Sequence, residues 1–293
     1  MAKRRAYLAW GVVCVVWGTT YLGIRIAVES IPPLLMAACR WIIAGSVLIA
    51  VFRARGERMP AASAWPSLAV RGLLLLGVGN GAVTWAEQTI PSGLAAVLVS
   101  VSPFWLVGVD TLSGNGKAPR PRQMVGLLIG FVGIVALVWP ELWTDVSGRA
   151  FLGGMVATQL ACVGWAIGSA YARRRGQPQH DEDTLTAAAF EMLFGGLILL
   201  AVGLVAGERL TSAVTTRSVL ALVYLIVAGS IGGFSAYRYA LQHLPMTTVS
   251  LYSYTNTVIA VVLGIVVLGE MFNWRMGVAA GVVLGGIALV RQA

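Results

Sequence analysis

Ten apolar runs of about 20 residues each follow one another along this chain, with only short connections between them. A helix of that length crosses the hydrocarbon of a bilayer, where helical backbone satisfies its own hydrogen bonds. The runs lie near residues 7–27, 33–52, 67–86, 92–112, 122–139, 151–173, 184–206, 217–240, 246–268 and 274–291. Only 11% of residues are charged, against about 25% in a soluble domain. The expectation is an all-α integral membrane protein of ten transmembrane helices, with the lipid bilayer as its first partner. The opening "MAKRRAYLAWGVVCVVWG" has the basic start and apolar run of a signal peptide. Nine further runs follow it and no soluble domain does, so it reads as the first span.

The formal net charge of +9 does not point to nucleic acid, because the basic residues are dispersed between apolar runs rather than gathered on one face. They report orientation instead. With the N-terminus cytoplasmic, 14 of the 21 Lys and Arg residues, Arg238 among them, fall in inner segments. Five fall in outer segments, and Arg40 and Arg71 lie within spans. This bias places both termini in the cytoplasm.

The chain also resembles itself. "VVWGTTY" of span 1 has a counterpart in "CVGWAIGSAY" of span 6, aligning Trp17 with Trp165. "EQTIPSGLAAVLVSVSPF" aligns with "LQHLPMTTVSLYSYTNTV", matching Gln88 to Gln242 and Pro91 to Pro245, and "VGLLIGFVG" of span 5 is echoed by "MGVAAGVVLGG" of span 10. The expected division is residues 1–145 and 146–293, five spans in each. An odd number of spans inverts the second half relative to the first, the plan of many secondary transporters.

Three stretches, "WGTTYLGIRIAVESIPPLLMAACRW", "GVGNGAVTWAEQTIPSGLAAVLVS" and "AFEMLFGG", resemble the EamA-type drug/metabolite transporters, in particular their YedA-like branch, and the likeness runs over nearly the whole chain. The resemblance implies ten helices as two inverted EamA repeats and an exporter of amino acids, cationic drugs or other metabolites. The chain departs from the family pattern in span 9, where relatives often carry Asn-Pro and this sequence has Asn256-Thr257. Pro103 is retained in the corresponding stretch of span 4.

Polar side chains are costly in lipid unless partnered or facing a wet cavity, so those near mid-span are the candidates for a substrate path. "SLYSYTNTV" concentrates them in span 9. Tyr252 and Asn256, four apart, share one helical face, and Tyr254 belongs to a neighbouring one. Trp17 and Tyr21 share a face of span 1, and Trp165 and Ser169 repeat that arrangement in span 6. Asn80, Thr84 and Glu87 line one side of span 3, and Ser102 in span 4 is the pseudo-equivalent of the Asn256 region. Trp17, Tyr21, Asn80, Thr84, Ser102, Trp165, Ser169, Tyr252, Tyr254 and Asn256 are therefore the expected substrate contacts. Ser100, Ser102 and Thr257 have a second use, bonding their own helix backbone. Trp41, Trp65, Trp139, Trp143 and Trp274, near span ends, read as the interfacial belt.

Arg40 and Glu191 lie about seven residues into spans 2 and 7 from opposite faces, at a depth of ~10 Å. Each is expected to close its own half of the pathway, Arg40 together with Glu87. Glu87 and Glu191 are also the candidates for carrying a proton, since burial favours a protonated carboxyl. Gly126, Gly130, Gly277, Gly281 and Gly285 give small-xxx-small faces on spans 5 and 10, suited to close packing or to a homodimer.

Cys14, Cys39 and Cys162 show no metal or disulfide spacing and read as small core residues. No Gly-rich loop ends in Gly-Lys-Ser/Thr, so ATP is not the direct drive, and no carboxylate cluster forms a sodium cage. No cofactor is expected. "AGSIGG" around Ser230 faintly resembles a nucleophile turn, but His180 and His243 fall in inner loops, away from it. An intramembrane enzyme and a non-transporting sensor or assembly partner remain the competing classes. The sequence favours a secondary carrier that exports a small metabolite by alternating access.

Overall fold

A computed structural model describes residues 2–90, 95, 98–114, 118–138, 149–175, 181–210, 213–268 and 274–291. Pro91, Trp139, Trp143 and His180 lie outside the described residues. The described residues form helices and no strand. These are α1 (Ala2–Ala27), α2 (Pro33–Ala54), α3 (Ala62–Ala86), α4 (Ser102–Leu112), α5 (Pro121–Val138), α6 (Arg149–Arg175) and α7 (Asp181–Val205). There follow α8 (Thr216–His243), α9 in two segments (Met246–Ser250 and Tyr252–Leu268) and α10 (Trp274–Arg291). Six of them, α1, α2, α3, α6, α7 and α8, contain stretches long and apolar enough to cross a membrane by length and composition.

Local chemistry sets the helix ends. Proline opens α2 at Pro33 and α5 at Pro121, where a missing N–H costs nothing. The Thr215 side chain caps α8 by accepting from the Ser218 N–H at 3.2 Å. α2 and α7 run out into left-handed glycines, Gly56 at φ 73° and Gly207 at φ 79°, a conformation that closes a helix without a Cβ penalty. Glu208, next after Gly207, accepts from the N–H groups of Leu34 (3.2 Å) and Leu35 (2.9 Å) at the start of α2. The end of α7 therefore lies against the beginning of α2, and the two helices are antiparallel.

Packing follows a regular scheme. α2 lies along α7 and α5 along α10, while α1 packs on α8 and on the second segment of α9. α6 packs on α3 and α4. Exchanging α1 with α6, α2 with α7, α3 with α8, α4 with α9 and α5 with α10 maps each of these named contacts onto another of them or onto itself. α3 and α8 share a further feature, a π-helical middle over Leu73–Asn80 and Leu225–Phe234. Both wide-turn segments are glycine-containing, and each receives an indole. A Cβ on Gly233 would overlap Trp17, and one on Gly79 would lie 2.8 Å from the Trp165 ring.

The glycine faces are used inside the chain. A Cβ on Gly286 would stand 2.6 Å from the Gly130 N and 2.7 Å from the Gly126 O, and one on Gly130 would strike the Tyr254 ring. Gly281 and Gly285 meet nothing within 4 Å. Gly286→Ala is accordingly expected to destabilise by about 1–3 kcal/mol, because backbone cannot yield as a side chain can. Gly281→Ala should leave stability unchanged. Thermal unfolding of the two variants in detergent checks the contrast.

Candidate functional site

A cavity of about 80 Å³ lies where α1, α2, α3, α4, α6 and α9 meet. It is lined by Trp17, Tyr21, Asn80, Ser102, Trp165, Tyr252 and Asn256, seven of the ten expected contact residues, together with Arg40, Trp41 and Cys162. Thr84, Ser169 and Tyr254 are not in its lining. Thr84 bonds its own helix at Asn80 O (3.0 Å), and the Tyr254 hydroxyl donates to Leu127 O on α5 (2.8 Å). Two residues apart, Tyr252 and Tyr254 point to different neighbours, so only the former meets the cavity.

At the cavity edge the aromatic rings form one cluster. Trp17 meets Trp165 edge-on with centroids 5.4 Å apart and Tyr252 edge-on at 5.3 Å. Tyr237 of α8 joins it, 5.2 Å from Trp17, 5.1 Å from Trp165 and 5.7 Å from Tyr252. Both indole N–H groups of the cluster have partners. Trp17 Nε1 donates to Gly229 O (2.9 Å), Trp165 Nε1 donates to Tyr237 Oη (2.9 Å), and Ser169 Oγ shares a 2.7 Å bond with the same hydroxyl. Ser169 thus acts one step behind the cavity. Asn256 is 1% exposed, and its amide donates to the carbonyls of Tyr252 (2.9 Å) and Cys14 (2.8 Å), tying α9 to α1.

The Trp41 indole is not an interfacial anchor. It is 1% exposed and donates from Nε1 to Asn80 Oδ1 at 2.9 Å. Trp65 and Trp274 are exposed, and so is Cys39, whereas Cys14 and Cys162 are buried. Arg40, 2% exposed, donates from Nε to Ser230 Oγ (2.7 Å) and stacks over the Trp41 ring with Cζ 4.5 Å from its centroid. Ser230 therefore faces a donor, not a base, which removes the resemblance to a nucleophile turn. The expected pairing of Arg40 with Glu87 is not formed as a contact: among the described residues no ion pair within 4.0 Å joins them. Glu87 is fully buried, and among the described residues neither carboxylate oxygen has a hydrogen-bond partner. Its backbone carbonyl accepts from Arg25 at 2.7 Å.

Farther along α8, toward the end that carries the α1 N-terminus, Glu191 is clamped by two arginines. Arg238 Nε lies 2.8 Å and Arg71 Nη1 3.4 Å from its carboxylate, and all three side chains are under 10% exposed. Arg238 is thus a buried helix residue and not part of a basic loop, which corrects its place in the charge census. Hydropathy alone could not show this, because its partner sits 47 positions away on α7. A second pair at the same end joins Arg173 to Asp110 at 3.3 Å, and Arg173 also reaches Leu244 O at 3.4 Å. Ser230, which meets Arg40, and Arg238 are eight residues apart on α8, roughly 12 Å. The aromatic cluster at Tyr237 stands between the two levels.

Buried ion pairs that join helices, a small cavity within a bundle of apolar helices and lipid-length segments define a multi-pass membrane protein. Its sequence goes further. The model of the EamA-like transporter family matches residues 4–139 and again 152–292, so the chain belongs to that family. It is similar to an uncharacterized inner membrane transporter, YedA, of Escherichia coli K12, with 37% identity over 94% of this chain and 87% of that protein. A WAT1-related chloroplastic protein of Arabidopsis thaliana is 27% identical over 94% of this chain and 66% of its own length. A crystal structure of 21% sequence identity superposes with a TM-score of 0.80 over 98% of this chain and 96% of the other, a likeness of fold.

Proposed function

We propose that the protein is a secondary carrier that exports a small metabolite, amino acid or drug-like compound across the inner membrane by alternating access. In this reading ten spans form two inverted five-helix repeats, residues 1–145 and 146–293, with both termini cytoplasmic. The observation that carries it is the position of the cavity. It lies where α1, α4, α6 and α9 meet. An aromatic layer and two buried or partly buried ion-pair sets stand on one side of it, and an exposed pair, Arg217–Glu29, on the other. Two packings of one repeat pair, related by exchange of the halves, would open the cavity alternately to either face. At about 80 Å³ the cavity is far below the roughly 300–1,000 Å³ of a small-molecule pocket, which suits a carrier whose helices part to admit substrate.

The proton candidates separate on geometry. Glu191 is held by two arginines, whereas the Glu87 carboxylate has no hydrogen-bond partner and lies in the field of Arg25 and Arg40. Glu87 is the residue assigned to proton exchange. Purified protein in liposomes should show substrate-dependent flux across a broad metabolite panel, driven by an imposed pH gradient. Glu87→Gln is expected to keep flux down a substrate gradient while losing the response to pH by tenfold or more. A panel with no flux at all would sink the carrier reading.

A further inference from the structure

We infer that the cavity selects substrates bearing a carboxylate, which Arg40 receives; this rests on the carrier reading and names its substrate class. Most hydrogen-bonding groups around the cavity are already engaged. Thr20 Oγ1 is used on Trp17 O (2.9 Å), Ser102 Oγ on Val99 O (2.5 Å), and the Asn256 amide on two carbonyls. These side chains have spent their protons on backbone. Asn80 accepts from Trp41 through Oδ1, so its amide nitrogen is the end left to donate. Arg40 spends only Nε, on Ser230, and its Nη1 is buried without a partner.

The guanidinium is also held in place. Trp41 supports its face, Ser230 its Nε edge, and Gly229 makes room, since a Cβ there would stand 2.8 Å from Nη2. A planar fork fixed in this way matches the two oxygens of a carboxylate. Among the described residues no aspartate or glutamate lines the cavity. Glu87 acts on Arg40 only through its field and forms no contact pair with it. A buried arginine without a contacting anion is costly, a cost that an arriving carboxylate removes. A simple organic cation would meet the same charge as repulsion. Trp17, Ile24 and Trp165 offer the rest of the substrate an apolar wall, so its body should be compact and uncharged.

A free carboxylic acid and an amino acid both carry this group, and a matched series separates them. The probes are 4-methylpentanoate, leucine, 4-methylpentanamide and isoamylamine, titrated onto purified protein in detergent and followed by thermal shift and calorimetry. The expected result is binding of 4-methylpentanoate at least tenfold tighter than its amide, with isoamylamine weaker still. Leucine binding as tightly assigns the carboxylate to an amino acid; exclusion of leucine assigns it to a carboxylic acid. Arg40→Lys should weaken the acid by tenfold or more, and Arg40→Gln should erase the preference of acid over amide. The acid-to-amide ratio on the unaltered protein stands even where an Arg40 variant fails to fold. Equal binding of acid and amide, preference for the amine, or binding of none of the four overturns the inference. Flux of the amine in liposomes would overturn it while leaving the carrier intact.

Discussion

Glu191→Gln is expected to destabilise the protein by about 3–5 kcal/mol, the cost of leaving buried charge without its counter-ion. The glutamate carboxylate lies between Arg238 at 2.8 Å and Arg71 at 3.4 Å, and it is completely buried. Neutralising it strands two guanidinium groups in a low-dielectric bundle, where neither can turn to water. The size of the effect depends on that confinement. The exposed pair Arg217–Glu29, 3.9 Å apart with side chains 65% and 45% exposed, should cost about 0–1 kcal/mol when broken. Arg173–Asp110, partly exposed, should fall between. Adding Arg238→Met to Glu191→Gln should return part of the loss, because one stranded charge is then gone. Unfolding midpoints of both singles and the double, read as a cycle, test this. A Glu191→Gln protein as stable as Glu29→Gln would show that the clamp ties nothing.

That clamp was only half legible in the sequence. Glu191 stood out as a charge in an apolar span, but its partners sit on α3 and α8, and no local pattern joins positions so far apart. Arg238 misled because basic residues near the end of an apolar run usually mark a loop. Trp41 misled in the same way, read as a belt residue when its indole is bonded to Asn80. Local physics served better where period alone decided. The 3.6-residue period put Tyr252 and Asn256 on one face, and both line the cavity. It could not say which of two faces looked inward, and Tyr254 turned to α5. Tyr237 gave no signal at all, although it touches both central tryptophans and Tyr252. The two tryptophans that the internal likeness matched, Trp17 and Trp165, meet edge-on in the structure. Gly233 takes Trp17 and Gly79 takes Trp165.

Trp17→Ala should then be the most damaging change at the cavity, costing about 3–5 kcal/mol and lowering flux by tenfold or more. The ring contacts Trp165, Tyr237 and Tyr252, so its removal opens a void in the layer between the cavity and the Glu191 clamp. Trp17→Phe separates volume from hydrogen bonding: it keeps most of the stacking and removes the Nε1–Gly229 O bond that ties α1 to α8, for about 0.5–1.5 kcal/mol. Trp165→Phe is the matching change in the other half, and it should not behave identically. Trp165 spends its N–H on the Tyr237 hydroxyl, a side chain that Ser169 still engages at 2.7 Å once the indole is gone. The Trp17 N–H is the bond that joins α1 to the Gly229 carbonyl, and its loss cuts that link, so Trp17→Phe should be the costlier of the two. Both indoles lean on α8, which means that α1 and α6 depend on one helix. Symmetry of packing therefore coexists with asymmetry of polar contacts, and unfolding midpoints with initial flux for the two Phe variants measure that asymmetry. Equal losses in both would mean that the hydrogen bonds on α8 are interchangeable and that the ring volumes alone hold the layer.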